Sequence, residues 1–153
     1  MRVQDIMARE VKTCRLDTNL AAATAIMWAG DCGALPVLDG DSKVVAMITD
    51  RDICMAAGTR NWVPSDIKVS DVVPRKVYTC APQDDIHAAL KTMREQKVRR
   101  LPVAGKDGNI EGILCLNDIA LNAGKSNSLS YGDVVETVQS ICEHRAARQA
   151  QAA

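Results

Sequence analysis

The sequence predicts a mixed α+β fold of two β-α-β-β-α units that pack sheet to sheet about a pseudo-twofold axis, with a C-terminal helix appended. Shifting the chain by 66 residues aligns positions 3–58 with 69–124 without a gap, and 17 of the 56 positions are identical. Both copies show the same order of strand-like and helix-like stretches. A unit of about 55 residues is marginal alone. Two copies can bury the open faces of their sheets against each other.

The repeat also sets the predicted domain boundaries. Residues 1–58 form unit 1, residues 59–68 form a linker and residues 69–124 form unit 2. Residues 125–153 have no counterpart and are predicted to be a helical appendage. A repeat of this length without a gap indicates two copies of one structural unit.

Each unit begins with a short strand followed by an amphipathic helix. The β-prone runs are Val11–Cys14 and Val77–Cys80. Asp17 or Thr18 is the predicted N-cap of the first helix, and Asp84 that of the second. The spacing of apolar residues then predicts one buried face on each helix. These faces consist of Leu20, Ala23 and Met27 in unit 1, and of Ile86, Ala89, Leu90 and Met93 in unit 2.

A hairpin and a second helix complete each unit. Strands 34–39 and 44–49 are joined by a turn at Gly40-Asp41, and strands 101–104 and 110–116 by Lys106-Asp107-Gly108. An Asp-Gly pair between strands is a strong turn signal. The closing helices are predicted to end at Gly58 and Gly124, because glycine favours the residue after a helix.

The C-terminal segment 131–150 is predicted to be a helix. Its apolar stripe consists of residues at helical spacing: Val134, Val135, Val138, Ile141 and Cys142. The stripe is compatible with packing on the chain's own units, and equally with a dimer or partner contact.

Composition excludes several classes of partner. Nineteen basic and nineteen acidic residues give a net charge of zero, so nothing electrostatic favours nucleic acid or an anionic membrane. The apolar runs are too short to span a bilayer. The N-terminus lacks the apolar region of a signal peptide, so we expect a cytoplasmic protein.

Six cysteines are the unusual feature of the composition. They stand at positions 14, 32, 54, 80, 115 and 142, and none forms a C-x-x-C pair. Packing as small buried side chains is the simplest interpretation. A redox or metal role is the alternative, although Cys142 and His144 supply at most two ligands where structural zinc usually takes four.

The sequences that open the two closing helices resemble the CBS-domain family. The family signature is a small residue, two apolar residues, Thr or Ser, two free positions, Asp and an apolar residue. Unit 1 has Ala46-Met47-Ile48-Thr49-Asp50-Arg51-Asp52-Ile53, and unit 2 has Gly112-Ile113-Leu114-Cys115-Leu116-Asn117-Asp118-Ile119. The Leu-Pro-Val before each hairpin is also similar to the family. The resemblance covers roughly residues 1–124.

This resemblance implies a paired module that binds an adenosyl ligand such as AMP, ADP or ATP between its units. By analogy with other CBS pairs, the Thr and Asp of one unit face the strand entrances of the other. The first implied site therefore consists of Thr49, Arg51, Asp52, Val77, Tyr78, Thr79, Arg99, Arg100 and Leu101. Asp52 would accept bonds from the ribose hydroxyls, and the arginines would bind phosphate. Thr49 and Asp52 also fit a capping box, which needs no ligand.

The mirror site is expected to be weaker. It would consist of Val11, Lys12, Thr13, Ala34, Leu35, Cys115, Asn117 and Asp118. Cys115 replaces the Thr of the family and is a weak hydrogen-bond donor. Gly33 and Ala34 stand where unit 2 has its arginine pair, so Lys12 is the cation left for a phosphate.

The expected function is a regulatory sensor that responds to adenine nucleotides and acts on a separate, unidentified protein. The family resemblance also implies frequent homodimers. No required cofactor and no catalytic residues are predicted, because no nucleophile–base pair, P-loop or metalloprotease motif is present. The alternatives are a structural adaptor with a vestigial cleft and a thiol-based redox or metal role.

Overall fold

The structure is a computed structural model that describes residues 1–74, 76–125 and 127–143. Unit 1 contains β1 (Cys14–Arg15), α1 (Leu20–Ala29), β2 (Ala34–Leu38), β3 (Val44–Thr49) and α2 (Asp50–Arg60). Unit 2 contains α3 (Ile86–Gln96), β4 (Arg100–Ala104), β5 (Ile110–Cys115) and α4 (Leu116–Asn122). The appendage contains α5 (Tyr131–Cys142). Short 3-10 turns lie at Val3–Asp5, Pro64–Asp66 and Val69–Asp71.

The predicted repeat is confirmed at the level of elements. Helices α1 and α3, strands β2 and β4, strands β3 and β5, and helices α2 and α4 each begin 66 residues apart. The two hairpins also share one antiparallel register, in which Ala34 pairs with Thr49 and Arg100 pairs with Cys115. The mixed α+β prediction is therefore correct.

The first strand of each unit is much shorter than predicted. In unit 1 only Cys14 and Arg15 pair with β2, in parallel, and in unit 2 only Cys80 forms a bridge, to Val103. The predicted helix caps were also wrong by one or two residues, because the Asn19 side chain accepts from Ala22 N–H and the Asp85 side chain from His87 N–H. Helix α2 continues past Gly58 to Arg60, and Asn61 takes the left-handed conformation.

Two hydrophobic cores form, one for each unit. The helix faces predicted from spacing are confirmed, since all seven side chains are buried. Each core adds the inward residues of its hairpin, such as Leu35 and Ile48 in unit 1 and Leu101 and Leu114 in unit 2, all fully buried. Alternation along a strand sends successive side chains to opposite faces, which explains why β3 and β5 alternate between buried and half-buried residues.

The two units exchange their first segments. Val3 and Met7, assigned to unit 1 by the repeat, are buried in the core of unit 2, where Val3 N–H donates to Asp84 C=O at 3.0 Å. Ile67 and Val69 are buried in the core of unit 1, and Val69 N–H donates to Thr18 C=O at 2.8 Å. The sequence boundaries of the repeat therefore differ from the boundaries of the two cores.

Helix α5 packs on unit 2. Its Val134 and Ile141 lie against the core of that unit, and it contacts α3 and α4. The prediction extended this helix to residue 150, but residues 144–153 lie outside the described part of the chain. Among residues 1–74, 76–125 and 127–143, no helix combines the length and apolar character that a membrane span requires.

Candidate functional site

A cavity of about 630 Å³ lies where unit 1, unit 2 and α5 meet. Unit 1 contributes the turn between α1 and β2, and unit 2 contributes the start of β4 and the start of α4. Helix α5 forms the third wall of the cavity. The lining residues are Asp31, Cys32, Gly33, Arg99, Arg100, Cys115, Leu116, Asn117, Val138, Ile141 and Cys142. Its volume falls in the range of small-molecule sites, which is about 300–1,000 Å³.

The positive charge of the cavity comes from Arg99 and Arg100. Strand pairing places Arg100 opposite Cys115, and the carbonyl of Arg99 accepts the N–H of Leu116 at 2.9 Å. The Arg100 side chain extends to unit 1, where its Nη2 atom lies 3.7 Å from the position a Cβ would take on Gly33. A Cβ at position 33 would also lie 2.8 Å from a carboxylate oxygen of Asp50, which is too close. Glycine at this position therefore leaves room for the Arg100 side chain where it reaches unit 1.

Cys115 caps α4 at the edge of the cavity. Its N–H donates to Asp118 Oδ2 at 2.8 Å, which is half of a capping box. Burial and the neighbouring Asp118 carboxylate raise the pKa of the Cys115 thiol, and Arg100 opposes them only in part. The thiol is therefore a neutral wall of the cavity at physiological pH, and the cations remain the arginines.

The Thr49–Asp52 pair forms the complete capping box of α2. Asp52 Oδ2 accepts the Thr49 hydroxyl at 2.6 Å and the Thr49 N–H at 2.9 Å, and the Thr49 hydroxyl accepts Asp52 N–H at 3.2 Å. Of the two carboxylate oxygens of Asp52, these bonds use only Oδ2. Oδ1 can therefore still accept a hydrogen bond from a ligand hydroxyl. The capping interpretation and a ligand contact are thus compatible.

The structure regroups the two predicted sites. The arginine pair was assigned to the first site with Thr49 and Asp52, but it lines the cavity together with Cys115 and Asn117 of the second site. The reason is local: the start of β4 pairs with the end of β5, so the arginines lie beside the cap of their own unit. Through Arg100 they also reach Gly33 of unit 1.

Three predicted contacts have buried side chains. Leu101 and Leu35 are fully buried within the two hydrophobic cores, and Ala34 is 5% exposed. Any ligand contact at these residues would therefore go through their backbone, and their role in binding stays a prediction. Both faces of β2 are covered, since its first four residues, 34 to 37, are all buried.

The remaining predicted residues lie outside the cavity lining. Arg51, Lys12 and Thr79 are exposed, while Val11, Thr13, Val77 and Asp118 are half-buried. Tyr78 packs against the core of unit 2 and carries the Lys76 ammonium 4.9 Å from its ring centre. Their role in binding stays a prediction.

Sequence reasoning missed the wall supplied by α5. Val138, Ile141 and Cys142 lie on the stripe that was recognised as apolar, but the stripe was assigned only to packing or to a partner. The sequence carried no signal for this wall, because the spacing of the stripe does not specify which of its residues face the core and which face the cavity.

Three of the six cysteines, Cys32, Cys115 and Cys142, line this one cavity. Within the described residues, no group of three or more His, Cys, Asp or Glu side chains is arranged to hold a metal ion. His144, the predicted neighbour of Cys142 in a two-ligand fragment, lies outside those residues.

Comparison with known proteins agrees with this architecture. The family model described as "CBS domain" matches residues 3–58 and 69–123. Hypoxic response protein 1 of Mycobacterium tuberculosis is 30% identical over 139 residues, which is 91% of this chain and 92% of the relative. A crystal structure of hypoxic response protein I with two coordinated zinc ions has a TM-score of 0.72 and 30% identity, and covers 79% of this chain and 98% of that one.

Other relatives share only this region or only the fold. The chain matches 23% of the length of inosine-5'-monophosphate dehydrogenase from Thermoplasma acidophilum, at 29% identity and 77% of this chain. The CBS domain pair of protein MJ0100, solved with 5'-methylthioadenosine and S-adenosyl-L-methionine, has a TM-score of 0.73 at 24% identity, and covers 82% of this chain and 98% of that one. The two family matches and the paired cores show that this chain belongs to the CBS-domain family, as a tandem pair.

Proposed function

We propose that the protein is a regulatory module that binds a phosphorylated adenosyl ligand in the cavity between its CBS units. The observation that supports this most directly is the position of Arg99 and Arg100 in a cavity to which both units contribute. A ligand held there contacts unit 1, unit 2 and α5 together. Its binding therefore changes how strongly the three parts are held to each other, which is what a sensor requires.

The chemistry of the walls fits the parts of a nucleotide. Guanidinium groups bind phosphate through paired, charge-assisted hydrogen bonds. Val138 and Ile141 offer apolar surface for a base. Asp118 is one residue beyond Asn117 of the lining, so its carboxylate is the group that would accept the ribose hydroxyls. The MJ0100 pair was solved with two adenosyl compounds that lack phosphate, so such compounds should also be tested as ligands.

The test compares ATP with 5'-methylthioadenosine, which lacks phosphate, by isothermal titration calorimetry. We expect Arg100→Ala to weaken ATP binding by about 10-fold or more, because a hydrogen bond to a charged group contributes about 1.5–3 kcal/mol. Binding of the phosphate-free ligand should change little. Arg9→Ala is the matched control, since Arg9 is an exposed arginine outside the cavity lining and outside both predicted sites.

Three outcomes would contradict parts of the proposal. Equal losses for the two ligands would mean that Arg100 does not contact phosphate. A larger loss in Arg51→Ala and Asp52→Ala than in Arg100→Ala and Asp118→Ala would place the ligand at the start of α2. Absence of binding to AMP, ADP, ATP and both MJ0100 ligands would favour a structural adaptor.

The wider role follows from the same proposal. The module would act in the cytoplasm as a homodimer, with no catalytic step of its own, by signalling to a separate protein. A thiol-based role is the second candidate, favoured by the three cysteines that line one cavity. A thiol titration with and without ATP distinguishes the two, because a nucleotide in the cavity should protect Cys32 and Cys142 from a thiol reagent.

A further inference from the structure

Two carboxylates of unit 1 lie close to the arginine pair of the cavity. Asp31 is one of the lining residues. Asp50 is the first residue of α2, and its N–H donates to the carbonyl of Gly33 at 3.2 Å. Asp50 Oδ2 and Arg100 Nη2 lie 2.8 and 3.7 Å from one point, the position that a Cβ would take on Gly33. A carboxylate of unit 1 and a guanidinium of unit 2 therefore approach each other at the edge of the cavity.

These opposite charges are close without being paired. In the part of the chain that the structure describes, no ion pair joins Asp31 or Asp50 to a basic side chain, and none joins Arg99 or Arg100 to an acidic one. The Oδ1 atom of Asp50 accepts the N–H of Arg51 at 2.7 Å, which is a local bond of the helix start. A ligand in the cavity thus meets two guanidinium groups and two carboxylates, and it interacts with the charge of each.

The fold does not require an acidic residue at either position. The repeat places Lys97 where unit 1 has Asp31, and Leu116 where it has Asp50. Asp31 and Lys97 both take the left-handed conformation, with φ of 46° and 53°, so the backbone is the same and the charge is opposite. In unit 2 the lysine lies 3.4 Å from Glu143 of α5. The two carboxylates are therefore a property of this cavity and not of the repeat.

The carboxylates limit the negative charge that the cavity can hold. A phosphate monoester carries about two negative charges near neutral pH, and each further phosphate of a chain adds about one. Arg99 and Arg100 are the only basic side chains among the described residues of the lining, and their charges are enough for one phosphate. A longer phosphate chain finds no further cation there and is repelled by Asp31 and Asp50, since like charges repel most strongly where little water screens them.

We propose that Asp31 and Asp50 are specificity-determining residues that make the cavity prefer an adenosyl ligand with one phosphate over a ligand with three. The inference rests on the proposed function, because it concerns the ligand of the same cavity. A monophosphate binds the arginine pair with its terminal group. A triphosphate brings additional negative charge into the same space, beside the two carboxylates, and so binds more weakly.

The experiment compares AMP with ATP by isothermal titration calorimetry, with a chelator present to remove divalent cations. Wild-type protein should bind AMP more tightly. Asp31→Asn and Asp50→Asn should each lower the ratio of the ATP to the AMP dissociation constant by about threefold, and the double variant by about tenfold, as expected for unit charges several ångströms apart near a protein surface. Asparagine tolerates the left-handed backbone of position 31, and at position 50 it keeps the oxygen that accepts the Arg51 N–H. Asp41→Asn is the matched control, since Asp41 is exposed in the β2–β3 turn outside the lining.

The outcomes separate this inference from the proposed function. Wild-type protein that binds ATP more tightly than AMP, or a double variant with an unchanged ratio, would overturn the selectivity and leave nucleotide binding intact. Absence of binding to both nucleotides would overturn both proposals. Circular dichroism checks that each variant is folded.

Two changes of buffer test whether charge is the cause. The effect of the substitutions on the ratio should shrink as the salt concentration rises, because ions screen charge repulsion, and an effect that is independent of salt would contradict the proposal. Magnesium ions give the opposite test. If added Mg²⁺ made wild-type protein prefer ATP, and the double variant lost that preference, the carboxylates would hold a cation with the phosphates and would not repel them.

Discussion

The starts of α2 and α4 are equivalent positions with different chemistry. In unit 1 the Thr49 hydroxyl and the Asp52 carboxylate complete a reciprocal capping box. In unit 2 the backbone half of that box is kept, with Cys115 N–H donating to Asp118 at 2.8 Å, but the hydroxyl is replaced by a thiol that is a poor hydrogen-bonding group. The cavity nevertheless lies beside the weaker cap, together with the arginine pair.

This comparison shows that duplication fixes the backbone and leaves the site free to diverge. The same hairpin register recurs in both units, because a slip of one residue would move every core side chain to the wrong face. Positions 33 and 34 lie at the same place in that register as Arg99 and Arg100, yet they are Gly and Ala. The arginine pair is therefore present in one unit only, without a change of fold.

The largest effect on stability should come from equivalent leucines in the two hydrophobic cores. Leu101→Ala and Leu35→Ala each remove a fully buried side chain at equivalent positions. Each should lower the free energy of unfolding by about 2–5 kcal/mol, since a cavity adds to the lost transfer energy. Urea unfolding monitored by circular dichroism measures this loss.

A single transition in both variants would support the segment exchange between the cores. Val3 lies in the core of unit 2 and Ile67 in the core of unit 1, so each unit depends on a segment from the other. Two separate transitions, with only one shifted by each substitution, would contradict this coupling. Retained ATP affinity in folded Leu101→Ala would agree with a leucine that packs and does not bind.

A smaller effect should separate the two caps. Thr49→Ala removes both hydroxyl bonds of the box and should cost about 1 kcal/mol of unfolding free energy. Cys115→Ala removes a thiol that contributes little to its cap. Even with the lost packing of this half-buried side chain included, the unfolding free energy should fall by about 0.5 kcal/mol or less. Paired urea titrations decide the order, and a greater loss in Cys115→Ala would show that the thiol stabilises the cap more than its chemistry indicates.

Much of the fold could be predicted because the signals were local and occurred twice. The buried face of α3 follows from the spacing of Ile86, Ala89, Leu90 and Met93, and the β4–β5 turn from Asp107-Gly108, where Gly108 has a φ of 84°. Each signal occurs again at the equivalent position of the other unit. This repetition matters most for helix α1, because its uncharged sequence alone gives only a weak amphipathic pattern.

The site was predicted only in part, because its walls depend on which elements meet in space. The sequence identified Arg99, Arg100, Cys115 and Asn117 as site residues but assigned them to two different sites. Their grouping follows from the β4–β5 pairing and from the crossing of Arg100 to Gly33. The contribution of α5 depends on how that helix docks on α3, which periodicity does not specify.

The smallest effect at neutral pH concerns Cys14 and Cys80, which are equivalent in the repeat and buried in opposite cores. Burial raises the pKa of Cys14 from 9.0 to about 11, and burial together with Asp84 raises that of Cys80 to about 12. The folded state therefore keeps protons that the unfolded chain loses above pH 9. Their contribution to stability is complete below pH 9 and is lost as the pH rises through 11 and 12.

Cys14→Ala and Cys80→Ala should thus each reduce the difference in unfolding free energy between pH 8 and pH 10 by about 1 kcal/mol, because one pKa unit corresponds to 1.36 kcal/mol. Measuring each variant against wild type cancels the contributions of the other ionisable groups. Cys54→Ala, at an exposed thiol, is the control that should leave the pH dependence unchanged. If Cys54→Ala changed it as much as Cys14→Ala, burial of the thiol would not be the cause of the pH dependence, and the raised pKa values of Cys14 and Cys80 would be contradicted.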